Sequence, residues 1–210
     1  AAVAPAAAET SGDDGILSGT QALVDVAAPV TVSGNAISVI GDATTEGAET
    51  MVGAAPAGAG TTGDAQTSGD DSIAGGTQVV APVTAPVTVA GNAISVIGDA
   101  TTTDAMTGVV AGDSGTGDAS TSGDDSILGG TQVIAPITAP VTVGGNAISG
   151  IGDATSTDAT TAVVAGGGTG NPSTNGDDSI LGGTQVIAPI SLPVTVGGNA
   201  VCVIGDCTTS

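Results

Sequence analysis

Four copies of one sequence unit make up most of this chain. Each copy opens with Gly-Asp-Asp and leads, through a proline-containing stretch, to Pro-Val-Thr-Val and then Gly-Asn-Ala. The offset from Gly12 to Gly34 is 22 residues and is the same in every copy, whereas successive copies begin 57, 54 and 53 residues apart. Length variation is therefore confined to the connectors, as is typical of tandem units that bury their apolar surface against neighbouring units.

The repeats divide the chain into a tail and four units. We expect the tail to be able to act as a donated strand for another copy. The last unit is truncated. The predicted limits are residues 1–11 for the tail and 12–66, 67–120, 121–174 and 175–210 for the repeats.

The composition argues against most enzymes. The chain has no Lys, Arg, His, Phe, Tyr or Trp, and its 21 acidic residues give a net charge of -21. General acid–base catalysis near neutral pH usually relies on His, or on a Glu or Lys with a shifted pKa, and a nucleophilic Ser needs a base beside it. Nucleic-acid binding needs cationic or aromatic side chains. We therefore expect no enzymatic activity, no nucleic-acid partner and no cofactor, with calcium as the one ligand left open.

The sequence also carries information on location. No stretch reaches the roughly 18 apolar residues that a transmembrane helix requires, so no membrane span is expected. The chain starts AAVAPAAAET, which is typical of a mature protein after removal of a secretory signal. These features predict a secreted protein that is extracellular or on a cell surface.

The apolar pattern within each unit is that of β-strands. Val141 and Val143 are two residues apart, and Ile148 resumes the alternation after Gly145 and Asn146. A Gly-Asn pair suits a hairpin loop with positive φ, so we predict a β-hairpin in every copy. The predicted turn residues are Gly34, Asn35, Gly91, Asn92, Gly145, Asn146, Gly198 and Asn199.

The predicted fold class follows from these hairpins. It is all-β, with tandem repeats of small antiparallel units that contain a hairpin, are sandwich- or barrel-like, and are packed in series and polymerised. Prolines in the middle of each unit mark predicted strand breaks or edges. Each connector carries a pair of apolar residues and is predicted to add a short strand at Met51–Val52, Val109–Val110 or Val163–Val164.

The order of short motifs resembles a known family. Ile16–Gly19, Pro29–Val32 and Gly34–Gly41, with their counterparts in the other copies, are similar to the chaplin domain of actinobacterial cell surfaces. The resemblance implies a secreted, surface-active protein that assembles into amyloid-like fibrils. Chaplins carry a Cys just before Gly-Asn, where this chain has Ser33, Ala90, Gly144 and Gly197. The disulfide of that family is therefore not carried over.

Cys202 and Cys207 occur in the last copy alone. A bond between them would close a small loop and staple the end of the last unit. An intermolecular bridge or free thiols are the alternatives. Either oxidised form suits an extracellular setting.

The acidic pairs are the candidates for calcium binding. Carboxylates bind calcium when folding brings them together with carbonyl groups. The favoured reading is that they are turn residues that keep the surface hydrated. The candidates are Asp13, Asp14, Asp70, Asp71, Asp124, Asp125, Asp177 and Asp178, with the Gly-Asp acids Asp42, Asp99, Asp153 and Asp206 as further members.

The groups Thr101–Thr103 and Thr155–Thr157 suggest an ice-binding face. They recur once in each unit of more than 50 residues. This spacing predicts no dense ladder of threonines, so we do not expect the chain to bind ice.

Taken together, these features predict a secreted, self-assembling structural protein that forms an extracellular filament, fibre or surface layer, with itself as the partner. The alternative is a monomeric repetitive adhesin stalk or calcium-stiffened spacer that presents another partner. Contact with a cell surface fits both. Repulsion among the 21 carboxylates predicts that acid, salt or divalent cations promote assembly.

Overall fold

The chain is seen in a computed structural model that describes residues 7–53, 63–111, 117–166 and 168–210. These residues form strands, turns and bends, with no helix within the described ranges. Val, Ile and Thr fill the strands because branched side chains fit a pleated surface, and Gly and Pro stand at the bends.

The strands group into four coils in chain order. Coil 1 has β1 (Ala8–Ser11), β2 (Gln21–Ala27), β3 (Val30–Ser33), β4 (Ala36–Ile40), β5 (Ala43–Glu46) and β6 (Glu49–Val52). Coil 2 has β7 (Ala65–Ser68), β8 (Gln78–Thr84), β9 (Val87–Ala90), β10 (Ala93–Ile97), β11 (Ala100–Thr103) and β12 (Met106–Ala111). Coil 3 has β13 (Ala119–Ser122), β14 (Gln132–Ile134), β15 (Ile137–Thr138), β16 (Val141–Gly144), β17 (Ala147–Ile151), β18 (Ala154–Thr157) and β19 (Thr160–Ala165). Coil 4 has β20 (Ser173–Thr174), β21 (Gln185–Ile187), β22 (Ile190–Ser191), β23 (Val194–Gly197), β24 (Ala200–Ile204) and β25 (Cys207–Thr209).

Each strand pairs in parallel with its counterpart in the next coil, which gives six sheets along the molecule. They are the serine sheet (β1, β7, β13, β20), the glutamine sheet (β2, β8, β14, β15, β21, β22), the VTV sheet (β3, β9, β16, β23), the AIS sheet (β4, β10, β17, β24), the threonine sheet (β5, β11, β18, β25) and the connector sheet (β6, β12, β19). Equivalent residues are direct partners, as Val30 is of Val87 and Val87 of Val141. The architecture is a parallel β-solenoid in which one sequence unit makes one coil.

The prediction of antiparallel hairpin units is wrong. Strand β3 pairs with β9 and β4 pairs with β10, so the two arms of the predicted hairpin belong to different sheets. At this corner Gly34 has φ 59°, whereas Asn35 is not among the residues with positive φ. The favoured Asn-Gly type of hairpin turn needs positive φ at both central residues. The Gly-Asn pair therefore bends the chain into the next sheet, and the main chain pairs with the next coil.

Other sequence predictions for the fold can be compared with these strands. Strands β6, β12 and β19 confirm the short strand predicted in each connector. Prolines interrupt the glutamine sheet between β14 and β15 and between β21 and β22, but Pro82 lies inside β8. In the predicted donated strand, residues 1–6 lie outside the described residues, and β1 pairs with β7 of the same chain.

The interior of the solenoid is lined mainly by small and polar side chains, with Val80 and Ile134 as larger apolar members. Ala93 and Ala147 are fully buried, and so are Gln78 and Gln132. Because alternate residues of a strand point to opposite faces, the Val and Ile residues of the VTV and AIS sheets point outward. Much of the chain's apolar surface therefore lies on the outside. No helix within the described ranges is long and apolar enough to cross a membrane.

Candidate functional surfaces

The outward side chains of the VTV and AIS sheets form one surface, which we call the apolar face. Val89 and Val143 line one wall of a groove and Ile94 and Ile148 line the other. The groove runs across all four coils and has a volume of about 480 Å³. Val, Ile, Ala and Asn line it, and no charged side chain among the described residues does.

The apolar face is exposed even in the two inner coils. Val96 is 52% exposed and Ile151 is 51% exposed, although each has a coil on both sides. Isolated exposed apolar residues are common, but a continuous apolar surface marks a place of contact in many proteins. The inner coils show that this exposure does not depend on where the chain starts or stops.

A ladder of asparagines forms the floor of the groove. The Asn92 Nδ2 donates to Asn35 Oδ1 at 2.8 Å, Asn146 Nδ2 to Asn92 Oδ1 at 2.8 Å, and Asn199 Nδ2 to Asn146 Oδ1 at 2.8 Å. The preceding glycine is in the left-handed region, with φ 67° at Gly91. The predicted turn residues therefore lie at one corner of every coil, where they hold adjacent coils in register.

Glutamine side chains form a second ladder, and these residues are not among the candidates predicted from the sequence. The Gln132 Nε2 donates to Gln78 Oε1 at 2.8 Å, and Gln185 Nε2 donates to Gln132 Oε1 at 2.8 Å. Buried amides of this kind need partners, and the next coil supplies them. The signal was the Gln that closes the Gly-Thr-Gln of every copy at a constant position.

In coils 1 to 3 the first acid of the Asp-Asp pair bonds to the following coil. Asp70 Oδ1 accepts from Ser122 Oγ at 2.6 Å and from the Asp124 backbone N–H at 2.9 Å. Asp13 makes the corresponding contacts with Ser68 and Asp70, and Asp124 Oδ1 accepts from the Asp177 N–H at 2.8 Å. These carboxylates act as clasps between coils.

The second acids of the pairs share a different geometry. All four are exposed and have positive φ, namely Asp14, Asp71, Asp125 and Asp178. The Gly-Asp acids form another clasp, in which the Asp99 N–H donates to Asp42 Oδ1 at 3.0 Å and the Asp206 N–H donates to Asp153 Oδ1 at 2.9 Å. In the described ranges, no group of three or more acids and cysteines is arranged to hold a metal ion.

Hydrogen bonds shift one carboxyl group. Donation from Ser68 and then from Ser11 holds the pKa of Asp13 below its ordinary value. A lowered folded-state pKa means that the stabilisation is present above the unfolded pKa and is lost as the pH falls through the folded pKa. Acid therefore weakens this clasp between coils 1 and 2.

Cys202 and Cys207 are joined by a disulfide, with their Cα atoms 5.8 Å apart. The bond links β24 to β25 within coil 4. The partners of these residues in coil 3 are Ser149 and Ala154. A disulfide is compatible with an extracellular location.

Comparison with known proteins gives one match. The family described as ChpA-C matches over residues 1–50, which is less than a quarter of the chain. The prediction of chaplin domains in all four repeats is wrong, because the family found is ChpA-C and its match ends within the first repeat. No curated protein and no solved structure matches the chain.

Proposed function

We propose that this protein is a secreted structural protein that assembles with copies of itself into an extracellular filament, fibre or surface layer. The observation that carries the proposal is the exposed, uncharged apolar face on the inner coils. The proposal includes no enzymatic activity, in keeping with the lack of any His, Lys or Arg. The ChpA-C match over residues 1–50 supplies no argument for the remaining repeats.

A second copy of the chain fits the apolar face because both surfaces have the same repeat. Strands in register place identical side chains about 4.8 Å apart along the solenoid. Two faces with the same spacing can interdigitate in a dry interface, as paired sheets of identical strands do. Burying the exposed half of one Val or Ile side chain contributes about 1 kcal/mol. Several such residues on each copy are needed to offset the cost of association.

The distribution of charge also favours contact through this face. The chain has 21 acidic residues and no cationic side chain, so two copies repel each other wherever their carboxylates meet. Acids lie at the corners between sheets, including Asp42, Asp99 and Asp153 beside the AIS sheet. The groove itself carries none among the described residues. Assembly should therefore increase when acid, salt or divalent cations reduce the repulsion.

The test uses the double variant Ile94→Thr/Ile148→Thr in the 210-residue chain. Both changes keep a β-branched residue in the strand and remove apolar surface from the walls of the groove. The matched control is Thr101→Ser/Thr155→Ser, in the same two coils but on the threonine sheet. Negative-stain electron microscopy and sedimentation velocity at neutral and acidic pH, with and without calcium, measure assembly.

We expect the wild type and the control to form regular assemblies, and the isoleucine variant to assemble about tenfold less under the same conditions, because the face acts through several contacts at once. Equal assembly by the isoleucine variant would contradict a contact through the apolar face. If the wild type stays monodisperse under every condition and its melting depends on calcium, the alternative of a monomeric adhesin stalk or spacer replaces the proposal.

A further inference from the structure

The threonine sheet presents an ordered set of hydroxyl groups to the outside. Its strands are in parallel register, so the outward residues form two rows along the solenoid. The first row is Thr44, Thr101, Thr155 and Thr208. The second row is Glu46, Thr103, Thr157 and Ser210, the last joined to Thr157 by a hydrogen bond of 3.4 Å. We call these two rows the threonine face.

The prediction that the threonine groups form no dense ladder is wrong, because the fold stacks these groups directly on one another. A recurrence of more than 50 residues gives a sparse pattern if each unit is a separate domain. Because each unit is one coil, Thr101 lies directly beside Thr44 and Thr155. Neighbours within a row are about 4.8 Å apart, and the two rows are about 6.7 Å apart, from strand spacing and rise. The ladder is therefore dense.

The threonine face is firmly supported from the inside. Ala100 and Ala154 beneath it are fully buried, as is Thr102. The Thr102 hydroxyl donates to the Asn146 carbonyl at 3.2 Å, and the Ser156 hydroxyl donates to the Gly145 carbonyl at 2.8 Å. These bonds fix the sheet to the corner that carries the asparagine ladder. A β-branched side chain in a strand also has restricted χ1, which limits the orientations of the outward hydroxyls.

The outward hydroxyls are available to a ligand. Within the described part of the chain, Thr44, Thr101 and Thr155 have no hydrogen-bond partner for their side chains. Seven of the eight positions carry a hydroxyl, and Glu46 is the exception. Six of these seven also present a methyl group, since only Ser210 lacks one. The face is thus uncharged over coils 2 to 4 and offers hydroxyl and methyl groups at regular intervals in two directions.

We propose that the threonine face binds the surface of ice crystals. An ice surface is itself a lattice of water molecules that donate and accept hydrogen bonds at regular intervals. Threonine hydroxyls fixed in two rows can occupy positions of such a lattice, while their methyl groups fit between its water molecules. Many weak contacts made at once by a rigid face give an avidity that no single hydroxyl has. This inference does not rest on the proposed assembly, because it uses a different face of the coil.

The test is ice-affinity partitioning of the full chain at neutral pH and low salt, where charge repulsion opposes assembly. The wild type is expected to be enriched in slowly grown ice relative to an inert protein of similar size, and to inhibit recrystallisation. The variant Thr101→Tyr/Thr155→Tyr places two bulky groups on the face. Its ice-to-liquid ratio should fall about tenfold or more, because contacts made together are lost together. The matched control, Ser120→Tyr on the exposed side of the serine sheet, should partition like the wild type.

A second variant keeps the test valid if the tyrosine variant does not fold. Thr101→Ser/Thr155→Ser retains both hydroxyls and removes both methyl groups, and circular dichroism and the melting temperature report whether it is native. It should show reduced partitioning with an unchanged fold. The proposal is overturned if the wild type enters ice no more than the inert protein, or if the folded threonine variants partition as the wild type does.

Discussion

The apolar face and the threonine face are built from neighbouring strands of the same coils, yet they offer different chemistry to the outside. Inward residues are alike on both sides, with Ala93 beneath the apolar face and Ala100 beneath the threonine face, each fully buried. Outward residues differ, with Ile94 on one and Thr101 on the other. The interior and the ladders therefore specify the coil, while the outward positions are free to vary with function.

The largest effect is expected from breaking the corner that joins the two faces. Asn146 is buried, donates to Asn92 Oδ1 at 2.8 Å and to the Val196 carbonyl at 3.2 Å, and accepts from Asn199. Asn146→Ala leaves these groups without partners and should lower the free energy of unfolding by about 3 kcal/mol. Urea denaturation measures this change.

The matched control for that prediction is Asn199→Ala in coil 4. Asn199 is exposed, so water can replace the lost contacts and the cost should be about 1 kcal/mol. Equal costs at the two positions would contradict a ladder that stabilises the inner coils.

Removing the disulfide should have the next largest effect. The variant Cys202→Ser/Cys207→Ala introduces the residues that coil 3 has at these positions. The loop between the cysteines is short, so the loss should be about 2 kcal/mol or less. Hydrogen exchange should locate the change in β24 and β25, which end the two faces. Faster exchange spread evenly over all four coils would contradict a local staple.

Exchanging the chemistry of the two faces sharpens the comparison itself. Ile94→Thr/Ile148→Thr should reduce assembly and leave ice partitioning unchanged. Thr101→Ile/Thr155→Ile should reduce ice partitioning and leave assembly unchanged. Each reduction should be about tenfold, since each face acts through several contacts at once. Sedimentation and ice partitioning of both variants measure the two properties. If either variant changed both properties equally, the two faces would not be independent.

The smallest effect concerns acid. The pKa of Asp13 is lowered by the hydroxyl groups of Ser68 and Ser11, so the clasp that it forms is lost as the pH falls through that lowered value. Asp13→Asn should therefore make the stability of coils 1 and 2 slightly less dependent on pH below 4, the region in which an ordinary Asp titrates. Melting curves between neutral and acidic pH test this. An unchanged dependence would mean that Asp13 contributes nothing to it.

Local features of the fold could be predicted from the sequence, but the partners of each strand could not. The alternation of Val141 and Val143 predicted a strand, and the apolar pair at Val109–Val110 predicted another, because side-chain period is a local property. The partner of β3 lies 57 residues away in β9, and nothing in the local pattern distinguishes it from β4. The local pattern favours an antiparallel hairpin, but each strand pairs instead with the equivalent strand of the adjacent coil.

The same limit explains what was missed among the candidate residues. Asn92 and Gln78 were visible as constant positions in the repeats, but their role depends on being stacked directly on their own copies. The spacing of the threonine groups along the chain predicts no dense ladder, because residues more than 50 positions apart in sequence give no local sign that they are neighbours in space. In a repeat protein, a polar residue that keeps its place in every copy is a candidate for such a ladder.

The most direct test of this account is the distance between equivalent residues of adjacent repeats. Spin labels at Thr101→Cys and Thr155→Cys, in a background where Cys202 and Cys207 are replaced, report it by electron paramagnetic resonance. One coil per repeat predicts strong dipolar broadening, because the labelled strands are neighbours about 4.8 Å apart. Labels separated by the width of a whole folded unit, with no such broadening, would contradict the parallel solenoid and both faces with it.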